Sequence, residues 1–347
     1  MFLQQIGADS RVAELFRPYV KQGLQLGRVS FAGHEQYRIY LESAECDAAP
    51  AGRLRWSDDL PAVGDWVAAR HVESGLALIE AVLPRQTRFS RRAAGPGISE
   101  QVIAANVDLA VVVCGLDGDF NLRRLERYLI QVRESGAAAI VILNKTDLCK
   151  SVPERMNEVA RLGADTRVIA ISAQTTVEPL RAMVRGRTVA LLGSSGAGKS
   201  TIANGLLAEE RQATAAVRPS DSRGRHTTTN RMLLPLPGGG AIIDNPGMRE
   251  LQLWASQDSL EGVFQDVAGI AGQCRYRDCT HDSEPGCAVR SALESGEIDP
   301  TRWLSYRKLE AELRHTLVEQ DALAKAAQKK KWKAIHRALR DHPKYRR

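Results

Sequence analysis

At 347 residues, 44% hydrophobic and 26% charged, the chain has the composition of a soluble globular protein and is too long for one ordinary core, so about two or three domains are expected. Its start lacks a basic segment followed by an apolar one, and nowhere do about 18 apolar residues run uninterrupted, which reads as a cytoplasmic protein with no membrane partner. The net charge of +7 points to an acidic partner, most often nucleic acid, although such an excess also suits a solvated surface.

The first residues say little; Arg11 to Leu24 reads as a short helix or a mobile arm. From Gly27 to Arg92 short alternating runs follow one another: Val29 and Phe31; Tyr37, Ile39 and Leu41; Leu54 and Trp56; Trp66 and Val67; Leu76 to Val82. Turn residues such as Ala32-Gly33 and Ser74-Gly75 separate them. Several strands in so short a span predict a small barrel of the OB type, either an oligonucleotide binder or a scaffold. Arg85, Arg88, Arg91 and Arg92 with Phe89 form a basic cluster at its exit, suited to RNA or to an exposed linker.

Val107 to Leu116 is nearly all apolar, as a strand buried on both faces of a parallel sheet must be. Arg123 to Glu134 reads as an amphipathic helix. Ala138 to Leu143 reads as a second buried strand, ending in Asn144-Lys145-Thr146-Asp147. A third αβ unit starts at Pro153 and stops at Ser172-Ala173. The alternation predicts a doubly wound α/β domain with ligands at the carboxyl ends of its strands.

Val189 to Leu192 then meets Gly193-Ser194-Ser195-Gly196-Ala197-Gly198-Lys199-Ser200, with a helix from Thr201, which gives strand, phosphate loop, helix. Glycines let backbone N–H groups converge on phosphates at a helix N-terminus. Lys199 adds a point charge near the β and γ oxygens, and the Ser200 hydroxyl suits Mg²⁺. A Thr-rich segment containing His226-Thr227-Thr228-Thr229 follows, and the strand Ala241 to Ile243 delivers Asp244-Asn245-Pro246-Gly247.

Six cysteines in a chain of this size make no disulfide framework, and Cys274, Cys279 and Cys287 crowd around His281 as C-x4-C-x-H-x5-C. Three thiolates and one imidazole suit a closed, structural Zn²⁺ site. Helices with Leu309, Leu313 and Leu317 at spacing four are predicted from Trp303 to Leu339. Lys325 to Arg347 is a strongly basic end, either seeking RNA or merely solvated.

The motifs N-K-x-D, S-A, phosphate loop, Thr-rich loop and D-x-P-G belong to translation-factor-class GTPases, yet here Asn144 to Asp147 and Ser172-Ala173 precede Gly193. In this circularly permuted order the sequence resembles the RsgA family of small-ribosomal-subunit-dependent GTPases. The resemblance implies an OB-type β-barrel over residues 27–92 behind a 1–26 extension, a circularly permuted P-loop α/β GTPase domain over 93–257, and a mostly helical zinc-binding domain with a basic tail over 258–347. It also implies binding of GTP or GDP, Mg²⁺ and one structural Zn²⁺; oligomeric state is not fixed by the sequence, and a monomer is the default expectation. Such a protein binds the small ribosomal subunit and its rRNA, acts in late subunit maturation, and leaves on GTP hydrolysis.

Under this resemblance Asp147 accepts from guanine N1–H and the 2-amino group, Asn144 and Lys145 brace the base, and the Ala173 amide meets the guanine oxygen. Asp244 holds Mg²⁺ through water, and a threonine, Thr228 first among Thr227 to Thr229, closes onto the ion beside Ser200. Two departures stand out: D-x-P-G carries Asn245 where threonine is usual, and Met248 stands after Gly247 where many GTPases place a water-orienting glutamine. The resemblance assigns that catalytic duty to His226. Competing readings are a P-loop kinase or ATPase with a small substrate, and an RNA-binding module in which GTP is only structural.

Overall fold

The fold was obtained as a computed structural model that describes residues 1–33, 36–55, 59–71, 75–92, 100–163, 166–207, 232–244 and 255–319. Two helices open the chain, α1 (Phe2–Gln5) and α2 (Ser10–Val20), the second capped by the Asp9 carboxylate accepting from the Val12 amide at 2.8 Å. Strands β1 (Gln25–Ala32), β2 (Tyr37–Tyr40) and β3 (Glu45–Pro50) lead to the helical turn α3 (Gly52–Arg55), and β4 (Trp66–His71) and β5 (Ala77–Val82) follow. Leu54 therefore lies on a helical turn rather than a strand, since the β3 ladder ends at Pro50; Trp56 lies outside the described residues. Pairings β1–β2, β2–β3, β3–β5, β5–β4 and β4–β1 close a ring, which is the expected OB-type barrel. Val29, Ile39, Val67 and Ile79 fill it.

A hairpin of β6 (Arg88–Arg92) and β7 (Glu100–Ala105) spans the expected 92/93 division. It changes the reading of the basic cluster. Phe89 is 1% exposed and packs in the main core, and Arg85 is paired with Asp65 at 2.8 Å and Asp59 at 2.5 Å, so neither is offered to a base.

The α/β part runs β8 (Leu109–Gly115), α4 (Leu122–Ser135), β9 (Ala138–Asn144), α5 (Val152–Ala160), β10 (Arg167–Ala170), α6 (Glu178–Val184), β11 (Thr188–Leu192), α7 (Lys199–Leu207), β12 (Met232–Pro235) and β13 (Ala241–Asp244). Sheet order is β10-β9-β8-β11-β13-β12, parallel except for the β12–β13 pair. Every residue of β8 is buried. Ala110, Val112 and Cys114 face a core shared with α4, while Leu109, Val111 and Val113 face one shared with α6 and α7. This two-sided burial explains the unbroken apolar run.

One register pair, Phe31 with Met232, extends the sheet into the barrel. Beside this seam the buried Arg28 guanidinium donates to the carbonyls of Ile6, Gly64 (3.3 Å) and Asn106 (3.3 Å) and to the Thr188 hydroxyl (2.7 Å), and lies 4.7 Å from the Trp66 ring centre. Burial pushes its pKa down to about 10, against the pull of Asp108 and Asp65, so it remains charged at neutral pH.

Helices α8 (Gln257–Val263), α9 (Gln265–Ala271), α10 (Ala288–Ser295) and α11 (300–319) complete the described chain. They dock on α4. Arg302 donates to Glu126 (2.8 Å) and to Asp266 (3.0 Å) above the Phe264 ring, and Ser305 donates to Glu126, a carboxylate 1% exposed. Arg127 pairs with both oxygens of Glu312. No helix among the described residues is long and apolar enough to cross a membrane.

Candidate nucleotide and metal sites

Parallel pairing sends the ends of β8, β9, β10, β11 and β13 to one edge, where the carboxyl-end loops gather. Gly193 leaves β11 at φ 137°, and a Cβ there would collide with the Val113 carbonyl; Gly198, at φ 101°, has the Asn144 amide where its Cβ would stand. Glycine is required at both. The Lys199 ammonium turns into the loop, donating to the carbonyls of Gly193 (2.7 Å) and Ser194. Ser195, Gly196, Ser200 and Thr201 are exposed at the rim and Ala197 is buried beneath it.

Asn144, 3% exposed, joins the loops: its Nδ2 donates to the Ala197 carbonyl at 2.9 Å and its Oδ1 accepts from the Ala173 amide at 2.9 Å. The N-K-x-D, S-A and phosphate-loop segments thus meet on one side chain. Lys145, at φ 64°, extends to Asp117, whose carboxylate it meets at 2.5 Å. That hydrogen bond holds the Asp117 carboxyl below its ordinary value. Thr146 to Leu148 form a single 3-10 turn that leaves Asp147 exposed, and the Thr146 amide donates to the Ile171 carbonyl at 3.3 Å. The Ser172 carbonyl accepts from the amides of Thr175 and Thr176, both at 2.9 Å, closing the turn that presents Ala173. Asp244 ends β13, exposed, beside β11. His226, Thr227, Thr228, Thr229, Asn245, Gly247, Met248 and the basic tail lie outside the described residues.

Sequence reasoning passed over two acids. Asp117 and Asp119 look like ordinary turn residues in Asp117-Gly-Asp-Phe-Asn121, and only the fold brings Asp119 to Ser194 and Asp117 to Lys145.

In the C-terminal part, the ligand atoms of Cys274, Cys279, His281 and Cys287 all lie within 4.8 Å of one another. Cys274 and Cys287 sulfurs are each 3.5 Å from His281 Nδ1 and 4.0 Å from each other. A tetrahedron with Zn–S near 2.3 Å has edges of about 3.8 Å, so the donor set fits Zn²⁺ with all four corners taken. Cys287 caps α10, its sulfur accepting from the Arg290 amide at 3.5 Å. The His281 ring packs edge-on against Trp303 at 5.5 Å. Glu284 organises the intervening turn by accepting from the Thr280 amide and hydroxyl with one oxygen and from the Asp282 and Ser283 amides with the other.

A phosphate loop joined to N-K-x-D and S-A loops, with the latter pair first in the chain, defines a circularly permuted P-loop GTPase. The RsgA GTPase family model matches residues 82–254. A protein of Opitutus terrae named "Small ribosomal subunit biogenesis GTPase RsgA" is 45% identical, over 98% of this chain and 97% of its own length. One of the same name from Syntrophotalea carbinolica is 42% identical over 97% and 96%. Among solved structures, YjeQ from Thermotoga maritima matches with a TM-score of 0.62 at 25% identity, covering 84% of this chain and 98% of that one. YloQ, described as a circularly permuted GTPase, matches with 0.60 at 23% identity over 84% and 96%, a likeness of fold. The chain belongs to the RsgA GTPase family and is a GTP hydrolase.

Proposed function

We propose that the chain binds the small ribosomal subunit and its rRNA as a cytoplasmic monomer, acts in late subunit maturation, and dissociates when GTP is hydrolysed. The Asn144 junction carries the GTP half of this reading, since one buried side chain fixes the base-side loops against the phosphate loop. The names of the relatives support the ribosomal half. Asp147 selects guanine, Asn144, Lys145 and Thr146 shape the base pocket, and Ser172 and Ala173 close it from above. Residues 193–201 bind phosphates through backbone N–H groups and Lys199. Ser200, Asp244 and Thr228 would hold Mg²⁺, which supplies charge neutralisation at the β and γ phosphates. Thr228 and Gly247 close on the γ-phosphate, and His226 positions the attacking water. Cys274, Cys279, His281 and Cys287 hold one structural Zn²⁺. With these roles go the domain divisions 1–26, 27–92, 93–257 and 258–347.

Cosedimentation tests the reading. Small subunits are expected to retain the protein loaded with a non-hydrolysable GTP analogue and to release it with GDP, and single-turnover hydrolysis should accelerate when they are added. Equal binding to large subunits, or no acceleration, would overturn the ribosomal assignment.

A further inference from the structure

We propose that Asp119 is a positioning residue of the GTP site, fixing the phosphate loop through the Ser194 hydroxyl; this rests on reading residues 193–201 as the loop that holds GTP. The segment 117–121 is anchored elsewhere first. Asp117 meets Lys145 at 2.5 Å and accepts from the Asp119 amide at 3.1 Å, Asn121 caps α4 by accepting from the Arg124 amide at 3.1 Å, and the Arg155 guanidinium lies 4.8 Å from the Phe120 ring centre. None of those contacts reaches the phosphate loop. Asp119 does: one carboxylate oxygen accepts from Ser194 Oγ and the other from the Arg124 guanidinium.

Asp119 grips the loop at a residue whose backbone already takes part in the loop's own bonds: the Ser194 carbonyl accepts from the Ala197 amide at 3.4 Å. Ser194 stands between Gly193 and Gly196, both at positive φ, and its carbonyl accepts from the Lys199 ammonium. Holding the hydroxyl therefore holds the carbonyl and the lysine head that must meet the phosphates. A preorganised loop binds more tightly because less freedom is lost on binding. A carboxylate repels phosphate, so Asp119 acts through Ser194 and not on the nucleotide. Together with Asp117 it makes segment 117–121 a second joint between the base side and the phosphate side, independent of Asn144.

A double-mutant cycle with a fluorescent GDP analogue tests this. Asp119→Ala and Ser194→Ala should each weaken GDP by about tenfold, the worth of one hydrogen bond to a charged group, while the combined variant loses no more than the worse single one. Asp119→Asn keeps an acceptor for the hydroxyl and should recover most of the affinity. Melting of the nucleotide-free variants shows whether they fold; should Asp119→Ala not fold, Ser194→Ala alone must still show the loss. Native GDP affinity in Ser194→Ala, losses that add in the combined variant, or no recovery in Asp119→Asn would overturn the proposal. An unaltered protein that fails to bind GDP would overturn the GTP-site reading and this proposal with it.

Discussion

Asn144 has two amide atoms and gives each to a different loop, so its burial leaves neither unpaired. Asp147, two residues on the far side of Lys145, stays exposed and is the group proposed above to discriminate between bases. Replacing it with asparagine puts a donor where guanine also has donors and xanthine has an acceptor. Asp147→Asn should lower GTP affinity by roughly a hundredfold or more and favour xanthosine triphosphate, as measured by competition binding. Glu284 offers a second test. Thr280's hydroxyl and amide hold its carboxyl down to about 2, so the cap is complete at neutral pH and is lost only as pH falls from about 4.5 through about 2. Glu284→Gln keeps one acceptor oxygen, leaves either the Thr280 donors or the Asp282 and Ser283 amides facing an NH₂ group, and should weaken zinc about tenfold in a chelator competition at pH 7. The residues that the fold brings together as read, Asn144 with Ala173 and the phosphate loop, and Cys274, Cys279, His281 and Cys287, stood out in the sequence because the spacing within each motif is local. Arg28, Asp117 and Asp119 did not, because a single acid or base in a turn or strand does not announce a partner far along the chain.

Among the elements, β8 and β9 were readable from unbroken apolar runs, and α4 from its periodicity. The β6–β7 hairpin was not, since Arg88, Arg91 and Arg92 around one phenylalanine resemble a charged linker until α4 is seen covering Phe89. Helix α4 is the seat of the C-terminal helices, and its buried Glu126 meets Arg302 at 2.8 Å, the Ser305 hydroxyl, and Arg123 of α4 itself at 3.5 Å. Arg302→Met keeps the apolar stem over Phe264 and removes the charge. With Arg123 still beside Glu126, the docking of α8 and α9 on α4 should weaken by about 2 kcal/mol, read as faster amide exchange over 257–271. Zinc should be retained, because no ligand lies on those helices.

At the scale of the whole molecule, the spatial order β10-β9-β8-β11-β13-β12 and the chain order of the same strands disagree, and the disagreement has a consequence during synthesis. Strands β8, β9 and β10 leave the ribosome before β11, so one edge of β8, all of it apolar, has no partner until Thr188 to Leu192 has emerged. The buried guanidinium of Arg28 waits for the same segment, since Thr188 supplies one of its acceptors. An open apolar edge is a template for association with other chains. A fragment ending at residue 187 should therefore aggregate or be held by chaperones on purification more than one extended through residue 244, although both lack the helices that cover α4; similar behaviour of the two would mean that β8 is protected in another way. Nascent chains of this protein thus carry that open edge through the interval between Asp147 and the phosphate loop, an interval in which a chain that begins with its phosphate-loop strand would already have that neighbour in place.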